Sequence, residues 1–468
     1  MMWSQRINEA FRRLTPSSAR ELSEAVSREA FDRGIWMEQD GVRCPIRLSL
    51  RPQLIDLASR GYLHHVTWQI RAALRRVVAL TAQQPEVMAV LPLEDAECRW
   101  IARYRGLDTR FARPAGERIF CRLDALGSLE GPGWRERLKF IETNVIGIGG
   151  ISYSPPAEDI LLNHVLPRVV GDDDELAFDS NRDLRLLLLD ELLDHARTLG
   201  VSHAPRIAFV DDKSLYTLGG EFGRLVPYFQ QQGFDAIYCD PRELALSRKG
   251  AIIAEDKPVD VIYRFLEIRD LIDIEAEAGT LHALRAAFER NMVVPSAGGD
   301  LEHKSVFEVL SDPRYERAFS EEQREVLRDH VLWTRLVYER KTTGPDGSEI
   351  DLVPFIERRR ADLVLKPNRL SGGEGVVLGN RVDGGTWQAA LQAAASAPGS
   401  HVVQLLSPSE AEEFPEVNAS GVHIESRFCV TGLFPGRRGV GAFGRYASSG
   451  VVNIQAGGGI APFLVCVR

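Results

Sequence analysis

Long hydrophobic runs, paired cysteines and an excess of positive charge are all missing from this sequence. The longest leucine run, Leu186–Leu189, is broken at once by Asp190 and Glu191. That falls far short of the roughly 18 unbroken apolar residues a membrane-spanning helix needs. The stretch from Met1 to Arg20 is polar and arginine-rich with no apolar centre, so it does not read as a signal peptide, and Glu9 argues against a transit peptide. Six cysteines are scattered without CxxC spacing, which suits reduced thiols in a cytoplasmic protein rather than a disulfide framework. Ten histidines show no HExxH pattern, and no Ser/His/Asp or Cys/His arrangement marks a nucleophile. The net charge of −9 denies the chain the basic face that nucleic-acid binding requires. Neither nucleic acid nor membrane is therefore expected as a partner.

What is present suits a globular α/β protein of several domains: 468 residues, 44% of them hydrophobic. Residues 1–115 read mostly as helix. Arg51 to Gln83 carries Leu54, Leu57, Leu63, Val66, Ile70, Leu74 and Val78 at near-helical spacing. From Arg118 the texture changes to short β-like runs, Arg118–Leu126 and Leu138–Ile141, separated by a turn at Gly131–Gly133. Helical patterns follow at Ala157–Val170 and Asp183–Leu199. Residues 201–292 alternate: strands at Arg206–Val210, Ala236–Cys239 and Val259–Tyr263, helices at Gly220–Gln232 and Leu281–Arg290. Such alternation signals a parallel sheet. From about 293 a further lobe begins, with a helix expected over Glu321–Arg340, a turn-rich connector over Thr342–Ser348 and a strand at Ala361–Lys366. A glycine-rich loop at Gly372–Gly375, a helix at Thr386–Ala397 and a strand at His401–Leu406 complete it. Residues 116–200 form the remaining division.

Four segments carry candidate chemistry. In Leu363-Val-Leu-Lys366-Pro-Asn368-Arg-Leu-Ser-Gly372-Gly373-Glu-Gly375, a strand delivers a lysine and glycines let the backbone approach an anion. An ordinary hairpin turn would look much the same; Lys366, as a phosphate counter-charge, favours the anion loop. In Arg122-Leu-Asp124 and Glu142-Thr-Asn144, residues two apart on a strand share a face. Glu142 and Asn144 can then aim oxygens at one point, with Asp124 beside them, which suits Mg²⁺. A polar, solvated strand face is the bland alternative. The strand Val259–Tyr263 runs into Arg264, placed either to meet a substrate anion or to make a surface ion pair. Finally, Gly444-Arg445 precedes Gly457-Gly458-Gly459, three successive glycines that suggest a lid or anion nest more than packing.

Taken in order, these segments resemble the circularly permuted ATP-grasp enzymes, most closely eukaryotic-type glutathione synthetase, over residues 117–460. The resemblance implies an ATP-grasp fold with a parallel-sheet substrate domain, leaving the helical N-terminal region uncovered. It implies ATP and Mg²⁺ as cofactors, with Asp124, Glu142 and Asn144 as metal ligands. Lys304, Lys366, Asn368, Gly372, Gly373 and Gly375 would hold the nucleotide phosphates. Gln404, Leu405 and Leu406 would form the adenine hinge, and Glu425 would be a further nucleotide-binding acid. Arg122 and Arg445 would steady the reacting acyl phosphate. Arg264, Gly147, Gly149, Glu221, Gly457 and Gly458 would surround the substrate.

The activity so implied is ADP-forming ligation of a small-molecule carboxylate to an amine, with room for a homodimer. A non-catalytic nucleotide-binding relative is the alternative. The family's substrate-holding serines fall at Gly147 and Gly149, the segment Asp211–Glu221 keeps only Glu221 of its polar contacts, and a lysine falls at Ala447. A substrate other than that of glutathione synthesis is therefore expected.

Overall fold

The computed structural model describes residues 2–81, 83–104, 119–171, 176–215, 220–407, 411–455 and 457–467. Arg118, at the head of the first expected β run, and the 115/116 division lie outside these residues.

The backbone of the molecule is a seven-stranded sheet. Its strands run in the order Arg47–Leu48, Gly459–Ala461, Gly439–Ala447, Gly421–Gly436, Arg122–Leu126, Lys139–Asn144, with Ala411–Asn418 also paired to Gly421–Gly436. The long strand Gly421–Gly436 and its neighbour Gly439–Ala447 form the central hairpin, in register from Phe428↔Ala447 to Gly436↔Gly439. The expected parallel sheet is present: Val293–Val294, Val261–Arg264, Ile207–Val210 and Ala236–Cys239 lie side by side, all parallel. Its strands are buried on both faces, as a parallel sheet covered by helices requires. A four-stranded antiparallel sheet follows, ordered Thr334–Leu336, His401–Leu405, Leu363–Pro367, Val377–Leu378.

Two expectations are corrected by backbone chemistry. The helix placed at Arg51–Gln83 starts only at Leu57, because Gln53–Asp56 is a strand paired in parallel with Phe463–Cys466. Asp56 makes the change of direction: its carboxylate accepts from the Ser59 amide at 2.7 Å and the Ser59 hydroxyl at 2.9 Å. Within the helix Leu57–Thr81, the residues Leu63, Val66, Ile70, Leu74 and Val78 are buried as their spacing demands. The helix placed at Glu321–Arg340 stops at His330. Val331 is extended, and Thr334–Leu336 leaves the helix to pair with His401–Leu405. Between the helices of the N-terminal region lies an unexpected hairpin, Trp36–Gln39 with Val42–Pro45. It turns on Asp40 and Gly41, both at positive φ (51° and 74°), the two-residue turn that suits strand twist.

N-terminal and C-terminal segments thus share sheets: Arg47–Leu48 with Gly459–Ala461, and Gln53–Asp56 with Phe463–Cys466. All six cysteines are free thiols. Among the described residues, no helix is long and apolar enough to cross a membrane.

A buried ion pair fastens the long helix to this frame. Arg71 donates to both oxygens of Glu191, each at 2.8 Å, and to the Pro435 carbonyl at 2.9 Å. Removing one partner strands the other charge away from water. Glu191→Ala should therefore lower unfolding free energy by about 3–5 kcal/mol, read as a lower urea midpoint at unchanged m value. The double replacement Arg71→Leu/Glu191→Leu should recover most of that loss.

Candidate active site

Antiparallel strands carry directly opposed residues on the same face. The register sets Asp124 opposite Glu142 and Arg122 opposite Asn144. On the other side Asp124 faces Gly432, which faces Phe443, and Val430 faces Arg445. Four neighbouring strands therefore bring two carboxylates, an amide and two guanidiniums onto one sheet face.

Asp124 is the centre of this group and fully buried. Arg122 donates to it from Nε at 2.8 Å and Nη2 at 3.2 Å, and Asn144 Nδ2 donates at 3.3 Å. Arg445 Nη2 lies 2.7 Å from Asp124 Oδ2, yet off the line of an N–H···O bond, so Arg445 Nε and Nη2 keep unspent donors. Burial alone would raise the Asp124 pKa; the charges of Arg122 and Arg445 prevail and hold it below the usual carboxylate range. Glu142 stands directly opposite Asp124 in the strand register. Neighbouring carboxylates repel, and a cation or proton near both lowers that cost.

Gly432 makes the geometry feasible. A Cβ there would sit 2.5 Å from Arg122 Cδ and 3.0 Å from Asp124 Oδ1, so the missing side chain is the channel through which Arg122 crosses the sheet. Arg122 also donates to the Gly149 carbonyl at 2.9 Å, which ties the following turn to the same face. Behind that turn, partly buried Glu302 accepts from the amides of Val145 and Ile146. Burial pushes its carboxyl up to about 8.

The lysines come from two places, Lys366 from the second sheet and Lys304 from the turn before the helix Val306–Ser311. Lys366, at the inner edge of Leu363–Pro367, donates to Gln404 Oε1 at 2.7 Å and is buried. Desolvation pulls its pKa down to about 8, Lys304 adds to the fall, and Glu142 and Asp124 oppose it. Lys304 Nζ lies 3.8 Å from Glu142 and donates to the Leu370 carbonyl at 2.5 Å. Over the lysines runs the glycine loop, with Gly372, Gly373 and Gly375 all at positive φ (68°, 76° and 67°). Asn453 Nδ2 donates to the Gly372 carbonyl at 2.6 Å, and a Cβ on Gly373 would be 2.4 Å from Val451 Cγ1. The loop and the 451–453 segment are therefore in contact as a roof.

The cleft so lined measures about 390 Å³, within the range of small-molecule sites. Arg122, Asp124, Glu142, Asn144, Gly147 and Gly149 line it, with Lys304, Lys366, Gly372, Gly373, Gln404, Leu405, Leu406 and Arg445. Gln404 is held for Lys366 by its own amide nitrogen, which donates to Thr334 Oγ1 at 2.9 Å and to the Ile141 carbonyl at 3.3 Å.

The remaining expected residues have other surroundings. Arg264 is 1% exposed and spends its donors on the carbonyls of Pro295, Leu266 and Ser296 and on Asp300. It ties strand ends together with four of its five donors, and it does not line the cavity. Glu425 projects from the outer part of its strand and pairs with Arg427 at 2.5 Å, away from the cavity. Asn368 is a clamp: its side chain accepts from the Ser305 amide at 2.9 Å and donates to the Gly399 carbonyl at 3.1 Å. Gly375 packs on Pro367, whose Cγ would lie 2.7 Å from an added Cβ. Glu221 supports the glycine turn from outside, accepting from the Ser152 amide at 2.6 Å; residues 216–219 of its segment are outside the described set. The three successive glycines owe more to packing than expected. A Cβ on Gly458 would meet the Asn453 carbonyl at 2.6 Å, and one on Gly459 the Tyr446 ring at 2.5 Å; only Gly457, at φ 88°, has open space. Sequence reasoning missed Gly432 and Asn453, and also Met37 and Ile46, which line the cavity from the N-terminal region.

No family model and no curated protein matches the sequence. Among solved structures, the chain is similar to a glutathione synthetase-like effector, GSS30, from Globodera pallida, solved in its apo form. The two are 14% identical, with a TM-score of 0.61 over 97% of this chain and 98% of the other. The fold is glutathione synthetase-like. At that identity the likeness speaks for the fold alone, and the site must be argued from its own residues.

Two glycine substitutions separate space from chemistry. Gly432→Val should force Arg122 off Asp124 and cost about 1–3 kcal/mol, as overpacking does. Gly149→Ser, with nothing within 4 Å of the added Cβ, should change stability by no more than about 0.5 kcal/mol. Parallel chemical denaturation of both variants measures the contrast.

Proposed function

We propose that this cavity binds Mg·ATP and joins a carboxylate to an amine through an acyl phosphate, on a circularly permuted ATP-grasp arrangement. One observation carries the reading: Lys366 from one sheet, Lys304 from the turn before the helix Val306–Ser311, and an Asp/Glu/Asn oxygen cluster from another sheet meet in a single cavity with a glycine loop on its wall. A buried ammonium and a partly exposed one beside two carboxylates suit a ligand that brings several negative charges together with a divalent metal.

The oxygen donors fit such a metal. Glu142 is partly exposed, and Asn144 commits its amide nitrogen to Asp124, which leaves its oxygen free. Asp124 and Glu142 face each other across the strand pair, where a cation would relieve their repulsion. Bound Mg²⁺ would supply charge neutralisation at the transferring phosphoryl group. Among the described residues there is no cluster of three or more His, Cys, Asp or Glu side chains that could hold a metal. That agrees with a metal held by one or two carboxylates and completed by phosphate oxygens.

In the first step a substrate carboxylate oxygen attacks the γ-phosphorus, the bond to the β-phosphate oxygen breaks, and ADP leaves. The amine nitrogen then attacks the acyl carbon, loses a proton and expels phosphate. The chain's own part is positioning and charge placement. Lys304 and Lys366 offset phosphate charge, while Arg122 and Arg445, both on the cavity wall, steady the acyl-phosphate oxygens. The roof formed by the glycine loop and residues 451–453 keeps water from the activated acyl group. Such an enzyme would work in the cytoplasm, where ATP and reduced thiols coexist.

The alternative, nucleotide binding without ligation, draws on Asp124, whose charge two guanidiniums already neutralise. Release of ADP that depends on added carboxylate and amine separates the two. Glu142→Gln should abolish that release and leave the thermal midpoint nearly unchanged, because it keeps volume and removes one charge.

Lys366→Ala should weaken ATP binding by about 1.5–3 kcal/mol, the scale of a hydrogen bond to a charged group, in calorimetric titration. The wild-type affinity should also depend on pH. Phosphate binds the protonated amine, so bound nucleotide raises the Lys366 pKa above its free value of about 8. Affinity should be level near pH 7, then fall by up to tenfold per unit as pH rises through about 8. Lys366→Ala should lose that slope.

A further inference from the structure

We propose that the cavity contains an apolar subsite beside Arg122 and Arg445, selecting a carboxylate substrate with a bulky hydrophobic side chain; this rests on the ligase reading above. Five residues build the subsite: Met37, Ile46, Tyr153, Phe443 and Ile454, all on the cavity wall. They belong to one hydrophobic cluster, which also holds much of the N-terminal region. Leu405 and the sheet that carries Lys366 pack in a different cluster. The cavity therefore has two apolar ends of separate origin.

The first of these ends adjoins the guanidiniums. Phe443 lies two residues from Arg445 on the same strand and the same face. Gly150 packs against the Phe443 ring, which an added Cβ would meet at 2.5 Å, and its neighbour Gly149 accepts from Arg122. Tyr153 follows that turn and donates its hydroxyl to the Trp36 carbonyl at 2.9 Å, joining it to the hairpin that carries Met37.

Polar groups around the subsite are spent on one another. The Tyr153 oxygen also accepts from Arg224 at 2.7 Å, and the Ser152 hydroxyl accepts from Arg224 Nε at 3.1 Å. Glu221 takes the Ser152 amide. What faces inward is ring and aliphatic surface, while Gly147 and Gly149 add no side chain to the wall. A substrate hydroxyl or carboxylate placed here would lose water without gaining a partner. An apolar side chain would gain, and in a hydrophobic pocket one methylene-sized step changes discrimination by about tenfold or more.

The test uses the full chain and four probes with one shared carboxylate: N-acetyl-leucine, N-acetyl-phenylalanine, N-acetyl-serine and N-acetyl-aspartate. Binding is read by calorimetry, which needs no turnover, with a separate titration of Mg·ATP. The leucine and phenylalanine compounds should bind at least about tenfold more tightly than the other two. Met37→Glu and, independently, Ile454→Ser should each bring that ratio towards one. Equal affinities, a preference for the polar probes or no binding of any probe would overturn the proposal. Apolar preference in a protein that fails to bind Mg·ATP would support the subsite and remove the ligase reading instead.

Discussion

Everything at this site is arranged around one buried negative charge. Asp124 has no access to water, and a lone carboxylate in such a place would take up a proton or unfold its surroundings. Two guanidiniums from strands on either side of Gly421–Gly436 prevent that, and they reach it only because Gly432 leaves the sheet face bare between them. The carboxylate fixes Arg122, and Arg122 fixes the glycine turn that follows Asn144. Turn, strand register and guanidinium positions are thus consequences of a single neutralisation.

The lysines face the opposite problem. Lys366 is buried too, but its hydrogen bonds go to neutral groups, Gln404 and the Ile141 carbonyl, and the carboxylates act on it only through space. A buried ammonium without a full counter-charge is poised to receive an anion, which is why its pKa sits low in the free protein. The site holds a satisfied acid and an unsatisfied base close together. That asymmetry is what the proposed binding of Mg·ATP rests on, since a polyanion could meet the lysine without displacing Asp124 from its arginines.

Much of the site was legible because its chemistry is local. Glu142 and Asn144 share a face by the two-residue period of a strand, and the Lys366–Gly375 segment announces its own turn. The parallel sheet was legible for the same reason, since alternating apolar runs and helices constrain it strongly. What escaped notice depends on contacts distant in sequence. Arg264 looked like a substrate arginine until Asp300 and three carbonyls were seen to consume its donors. Glycines 458 and 459 looked like a lid, yet Tyr446 and the Asn453 carbonyl leave no room for anything larger. Gly432 carries no motif at all; only the strand register reveals its purpose. The hairpin at Asp40–Gly41 is a different case, because that dipeptide between short extended runs is a strong turn signal. The surrounding helices obscured it.

The pairing of Arg47–Leu48 and Gln53–Asp56 with strands more than 400 residues later has a consequence for biosynthesis. On the ribosome those early segments emerge long before their partners exist. Until Gly459–Ala461 and Phe463–Cys466 leave the exit tunnel, each early segment lacks the neighbour it pairs with in the native sheet. These later strands therefore act as a clasp on the earlier ones. The frame behind the wall that Met37 and Ile46 contribute is complete only after they emerge, so a nascent chain stalled before them would hold the lysine strand without its finished pocket. Such long-range closure is slow for a chain and leaves strand edges open to wrong partners meanwhile.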